Sequence, residues 1–361
     1  MEEQPIPPEV EEGVFDPSSN EDNEVATHTR YTIASYGADY PVDGLVKRID
    51  KGDIYVPPFQ RGFVWSSAQA SRFVESLLLG LPVPGIFLFK EPDTKKLVVV
   101  DGQQRLRTLQ YFYEGLLLGK EFCLRGVSEE LDGITYKKLP EDDRRRLDDA
   151  ILHATIFQQD DPEDDRSSIY LVFERLNTGG TPLNPQEIRS CVYRGAFNDL
   201  LKILANNTYW AKVFGAPSRR GKDQELILRF LALYERSDYY ERPMKGFLND
   251  FMEANRNGSE STLSSYKTLF ENTVQHAADH LGPKAFRPER NLNAAATDAL
   301  LVGLARRLAN GPIKLPTGLA AAVETLLKDE EFMQAVNSAT TDKPSVEARL
   351  RKATEAFAMI S

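Results

Sequence analysis

Runs of β-forming residues occur only in the first 195 residues of this 361-residue chain, and that asymmetry restricts the fold to an α+β domain followed by an all-α domain. Between residues 31 and 195 short extended and helical patterns alternate. Residues 31–35, 54–56, 86–89, 97–100 and 151–157 are apolar or β-branched runs, and Pro57-Pro58 stops the second of them. Glu91-Pro-Asp-Thr94 between the third and fourth suits a hairpin turn. Helices are expected over residues 42–51, after Ser66, after Gly102 and over residues 169–176. Ser66 can cap the second with Gln69 reaching back, and Asn184-Pro-Gln-Glu187 opens a further helix with the same capping box and Pro185 in the first turn. Beyond residue 196 the strand signals fade, and residues 224–234, 297–308 and 319–327 repeat apolar side chains at helical spacing. The expected domains are therefore residues 30–195 and 196–361.

Residues 1–29 contain no Lys or Arg and are rich in Glu, Asp and Pro, a composition expected of a disordered acidic tail. No apolar run approaches the roughly 20 residues that span a bilayer, the first residues lack the basic and apolar regions of a secretory signal, and two cysteines make no disulfide framework. A cytoplasmic protein with no membrane partner is the expectation. The net charge of −10 argues against a protein that coats nucleic acid nonspecifically. Residues 1–195 carry 22 Lys and Arg against 34 Asp and Glu, whereas residues 196–361 carry 22 against 20, so DNA contact is expected on the second half, at Arg219, Arg220 and Lys222, with Lys284, Arg287 and Arg290 further along.

Three motifs can carry chemistry. Residues 97–109, with Asp101-Gly-Gln-Gln-Arg105 at their centre, form a strand, a tight turn and a helix start. The backbone N–H groups near Gln103, Gln104 and Arg105 then lack intrahelical partners and can bind an anion, with Arg105 and Arg107 as donors to phosphate and Gly102 permitting close approach. The competing reading has Asp101 capping the helix and Arg105 paired with a surface carboxylate. Gln60 and Arg61 stand among Phe59, Phe63 and Trp65, suited either to a planar ligand or, with the aromatics in the core, to a structural role. Glu174 and Asn177, three apart at a helix end, could hold Mg²⁺ beside a triphosphate, although most such pairs do not. His276 and His280 share a helical face without further ligands nearby in sequence.

Pro57-Pro-Phe-Gln-Arg-Gly-Phe-Val-Trp65, residues 75–84, Val100-Asp-Gly-Gln-Gln-Arg-Leu-Arg-Thr-Leu109 and residues 173–189, in that order, resemble the GmrSD restriction endonuclease N-terminal domain family over roughly residues 31–200. The resemblance implies a ParB/sulfiredoxin-like fold that binds and hydrolyses a nucleoside triphosphate in prokaryotic antiphage systems. It also implies that Gln60-Arg61 corresponds to the first ParB-type motif and Gly102-Gln-Gln-Arg105 to the phosphate box, with Glu174, Asn177 and residues 183–185 near the metal. The His-containing nuclease domain of larger members has no counterpart in residues 196–361.

The reading that follows is a nucleotide-dependent regulatory module. Arg105, Arg107 and the helix N-terminus would hold phosphates, Arg61 would add charge stabilisation, and Asp101 or Glu174 would orient water or Mg²⁺. Its expected partners are a nucleotide, DNA, a separate nuclease or defence-system subunit, and a further copy of the chain. A non-enzymatic DNA-sensing adaptor is the alternative, and a nuclease ranks last.

Overall fold

A computed structural model of the chain describes residues 13–16, 32–57, 62–92, 94–161, 167–176 and 183–360. It divides into two compact units, Arg30–Leu183 and Asn184–Ser361, the latter together with Met1–Thr29. In chain order the strands are β1 (Val14–Phe15), β2 (Thr32–Pro41), β3 (Ile54–Tyr55), β4 (Ile86–Lys90), β5 (Leu97–Asp101), β6 (Leu116–Leu117), β7 (Lys120–Glu121), β8 (Ile151–Asp161) and β9 (Leu292–Asn293).

The first unit is α+β. Its five-stranded sheet has the order β2-β8-β4-β5-β3, with β2/β8 and β4/β5 antiparallel and β8/β4 and β5/β3 parallel. The hairpin expected around Glu91 is the β4/β5 pair. Helices α1 (Val42–Asp50), α2 (Ser67–Leu78), α3 (Gln103–Glu114), α4 (Glu141–Asp148) and α5 (Ser167–Leu176) complete it. Local chemistry sets their ends: the Ser66 side chain accepts from the Gln69 N–H while the Gln69 side chain accepts from the Ser66 N–H. The apolar face Ala70, Phe73, Val74, Leu77 and Leu78 of α2 meets Leu106, Leu109 and Phe112 of α3 in one buried cluster with Leu88 and Val99 of the sheet. Each such Leu, Val or Phe contributes about 1.5–3 kcal/mol by leaving water.

The second unit is helical: α6 (Pro185–Val192), α7 (Ala196–Ala205), α8 (Thr208–Phe214), α9 (Lys222–Arg236), α10 (Met244–Asn255), α11 (Glu260–His276), α12 (Ala294–Ala309), α13 (Thr317–Leu326), α14 (Glu330–Asn337) and α15 (Lys343–Ala358). Every residue from Ala294 to Ala305 is buried, so α12 is the central helix, apolar apart from Thr297 and Asp298. Gly303 lets α15 lie directly against it, since a Cβ there would meet the Ala353 carbonyl carbon at 2.8 Å. None of the described helices is long and apolar enough to cross a membrane.

Two expectations are corrected. The division between units falls before Asn184 rather than after Gly195, because α6 is built into the helical unit. Asn184 Nδ2 donates to the Arg220 carbonyl at 2.9 Å, and the buried Arg189 reaches Glu225 Oε2 at 2.9 Å and Asn249 Oδ1 at 3.0 Å. Nor is the acidic N-terminal stretch wholly a tail: β1 pairs with β9, and Asp16 is buried against Arg229. The remainder of residues 1–29 lies outside the described residues.

Tyr113 and Tyr136 stack at 4.1 Å between ring centroids and both donate to Asp148 Oδ1, at 2.5 and 3.0 Å. Burial, then the Asp148 carboxylate, pushes the Tyr136 phenol up to about 12 and raises Tyr113 as well. The folded state thus holds these protons more tightly than the unfolded chain, whose tyrosines titrate near 10. Their contribution is complete below about pH 10 and is lost as pH rises toward about 12. Thermal melts from pH 8 to 11.5 are expected to show a decline above pH 10 that is shallower in Tyr136→Phe; an identical decline in that variant would contradict this account.

Candidate functional site

The strand-turn-helix at β5, Gly102 and α3 forms as expected, and its geometry reassigns most of the side chains in it. Gly102 is the N-cap of α3 at φ 95°, a left-handed conformation that L side chains avoid. A Cβ here would lie 2.4 Å from Ile86 Cγ2. The close approach expected of a ligand is thus taken by the fold's own β4, which packs onto the glycine.

Asp101 does not cap the helix, for no side chain caps α3. Its Oδ2 accepts from Arg105 Nη2 at 2.8 Å. Arg105 Nη1 donates to the Pro84 carbonyl at 2.7 Å and also to the Gly85 carbonyl. With its side chain only 14% exposed, Arg105 is a brace that ties the segment entering β4 to the turn. Of the competing reading, the Asp101 cap is absent, and the carboxylate that Arg105 pairs with is Asp101, partly exposed.

Gln104 is buried and fully engaged. Its Oε1 accepts from the Val64 and Trp65 N–H groups at 2.9 and 3.3 Å, and its Nε2 donates to the Gly62 carbonyl at 3.2 Å. That bond set brings the C-terminal half of the Pro57–Trp65 motif onto the start of α3. Phe63 packs edge-on against Tyr111 at 5.3 Å and Trp65 against Phe73 at 5.7 Å, so these aromatics serve the core rather than a planar ligand. Phe59, Gln60 and Arg61 lie outside the described residues, as does Asn177.

What remains open at the turn is backbone and one outward face of α3. The N–H groups of Gln103, Gln104 and Arg105 have no partner among the described residues, the first intrahelical bond being Leu106 N–H to the Gly102 carbonyl at 3.0 Å. Gln103 and Arg107 follow each other at i and i+4. Gln103 Oε1 and Arg107 Nε are buried atoms without hydrogen-bond partners, and Arg107 forms no ion pair with a described residue. The carbonyls of Pro84 and Gly85 that occupy Arg105 come from 21 and 20 residues away and carry no local signal.

Glu174 sits half-buried near the end of α5 and is not free of partners. Among the described residues no group of three or more His, Cys, Asp or Glu converges on a metal-sized space. His276 Nδ1 lies 2.9 Å from the Asn272 carbonyl, within its own helix.

In the helical unit the expected DNA-binding trio has other tasks. Arg220 Nη2 bonds Glu187 Oε2 at 2.8 Å and Lys222 Nζ bonds Glu225 Oε1 at 3.1 Å, with the lysine side chain 10% exposed. Burial alone would lower Lys222, but Glu225 and then Asp16 hold it charged above its ordinary range. Arg219 is exposed yet also engaged. Arg287 closes the end of α8, donating to the Val213 and Phe214 carbonyls at 2.8 and 2.5 Å. Arg220 and Lys222 thus neutralise buried carboxylates within the unit.

Residues 42–194 match the family model described as the N-terminal domain of the GmrSD restriction endonuclease. No curated protein matches the chain.

Two outcomes follow from the turn. Gly102→Ala is expected to destabilise the first unit by about 2–4 kcal/mol, through left-handed strain and the Ile86 clash, read as a lowered denaturant midpoint; a change under about 0.5 kcal/mol would refute the packing role. Gln104→Leu, which strands the Val64 and Trp65 N–H groups, is expected to cost about 2–4 kcal/mol on the same measurement, whereas a near-neutral result would mean that water replaces the amide.

Proposed function

We propose, from the membership of residues 42–194 in the GmrSD restriction endonuclease N-terminal domain family, that this chain is the nucleoside-triphosphate-binding regulatory part of a restriction-type antiphage system. The observation that carries the reading is the set of unpartnered amides at the start of α3, next to Gly102 and on the same helix as Arg107, which forms no ion pair with a described residue. A helix N-terminus with free N–H groups and a partial positive charge is a built anion site. Phosphate oxygens would accept from the Gln103, Gln104 and Arg105 amides, and Arg107 would supply the side-chain charge. Arg105, Asp101 and Gln104 act one step back as positioning residues: they hold residues 62–65 and 84–85 around the turn so that the amides stay open. Gln60 and Arg61, next in sequence to the Gly62 carbonyl bound by Gln104, complete the ligand set in this reading. Mg²⁺ would come with the nucleotide, Glu174 being the carboxylate this chain offers it. Hydrolysis needs a positioned water, and DNA cleavage would belong to a separate nuclease subunit.

A DNA-sensing adaptor is less well supported, because Arg220, Lys222 and Arg287 are spent on internal carboxylates and carbonyls.

Thermal shift with ATP, GTP, CTP and UTP, each with and without Mg²⁺, tests the reading. One nucleotide is expected to raise the melting temperature of the wild-type chain. Arg107→Ala should melt like the wild type without ligand yet bind roughly 10–100-fold more weakly, the value of a charged hydrogen bond. Arg105→Ala should lose binding together with about 2–3 kcal/mol of stability. No shift from any nucleotide, with the wild type folded, would overturn the proposal.

A further inference from the structure

The segment Gly13–Asp16 enters the helical unit in the manner of a bound peptide. Val14 and Phe15 lie parallel to Leu292 and Asn293. A two-residue parallel ladder is marginal by itself, so the side chains decide whether it holds. Val14 is 4% exposed, and Asp16, at 5%, accepts from Arg229 Nη1 at 3.1 Å.

The site that receives Asp16 is built on two buried arginines that share one carboxylate. Arg229 on α9 grips Asp298 through Nε and Nη2, the latter at 2.7 Å, and Arg349 on α15 shares the same carboxylate at 3.4 Å. Both guanidiniums are fully buried; Arg349 also donates to the Thr340 carbonyl, and its Nε is buried without a hydrogen-bond partner. Asp16 is the second carboxylate. Burial opposes the Arg229 charge, and Asp298 and then Asp16 outweigh it, holding that guanidinium well above its ordinary range. The backbone supplies the aim: β9 runs directly into α12, which carries Asp298 near its start, so a strand paired in parallel with β9 delivers its next residue to Arg229. Residues 1–29 contain no Lys or Arg, so no positive charge in the flanking sequence opposes this cationic site.

We propose that the helical unit contains an acceptor site for an acidic peptide of the pattern apolar-apolar-Asp, which the chain's own Val14-Phe15-Asp16 fills in cis and exchanges for a free peptide of the same pattern. The recognition is strand addition at β9, with the Val14 pocket and the Arg229 guanidinium supplying specificity. A partner bearing such a segment would bind by displacing the chain's own.

The test uses the full-length chain and a labelled synthetic peptide spanning Glu11–Ser19. In a Val14→Ser/Asp16→Asn chain the melting temperature should fall by roughly 10 °C, as expected when one member of a buried ion pair is lost. The peptide should bind this variant at least tenfold more tightly than it binds the wild type, whose site is filled. The same peptide carrying Asn in place of Asp16 should bind at least tenfold more weakly than the native peptide. A variant that melts like the wild type, or one that binds the Asp and Asn peptides alike, would overturn the proposal. Should the variant not fold, the wild type decides: excess native peptide is expected to accelerate hydrogen exchange at the amides of residues 14–16, and unchanged exchange would mean that the segment is a fixed part of the fold rather than an exchangeable ligand.

Discussion

The left-handed turn at Gly102 is the constraint on which the first unit depends. It ends β5, starts α3, and lets Ile86 of β4 pack where any other residue would place a Cβ. Because the chain reverses there without a side-chain cap, the first amides of α3 stay unpaired, and the side chains around them are free to bind neighbouring loops. Gln104 takes residues 62–65 and Arg105 takes Pro84 and Gly85. Two segments remote in sequence are therefore gathered at one helix start by two side chains, and both are engaged with backbone groups, which any sequence in those loops would present.

This division of labour clarifies what the Asp101–Arg105 motif does. In a site that binds anions by main-chain amides, the side chains next to the ligand need not touch it. A brace that fixes the turn contributes by keeping the amides aligned, and its loss acts through geometry and stability together. Arg107, with no such duty, is the residue whose loss should act on affinity alone.

The helical unit is organised by a different interaction, the buried charges on α9. Glu225 is approached by Lys222 and Arg189, and although burial alone would raise it, those cations hold it below the ordinary carboxylate range. Arg229 joins Asp298 and Asp16 one to two turns further along. Buried pairs of this kind add little net stability compared with apolar packing, but they are costly to break one partner at a time. They specify which helices meet and, through Asp16, recruit a segment distant in sequence into the unit.

Much of the architecture was legible in the residues because it rests on local rules. Alternating apolar runs marked the sheet, capping boxes at Ser66 and Asn184 marked helix starts to the residue, and the glycine after Asp101 marked the turn. These signals act over four residues or fewer, so one chain segment contains both sides of each interaction. The tertiary structure alone decided which cations were free. Arg105, Arg220 and Arg287 look like phosphate ligands in a sequence, and each is instead matched to a carbonyl or carboxylate between 21 and 74 residues away. Pairing of that range depends on which surfaces the folded chain brings together, and the same cause drew Asp16 out of an acidic stretch that composition assigned to solvent.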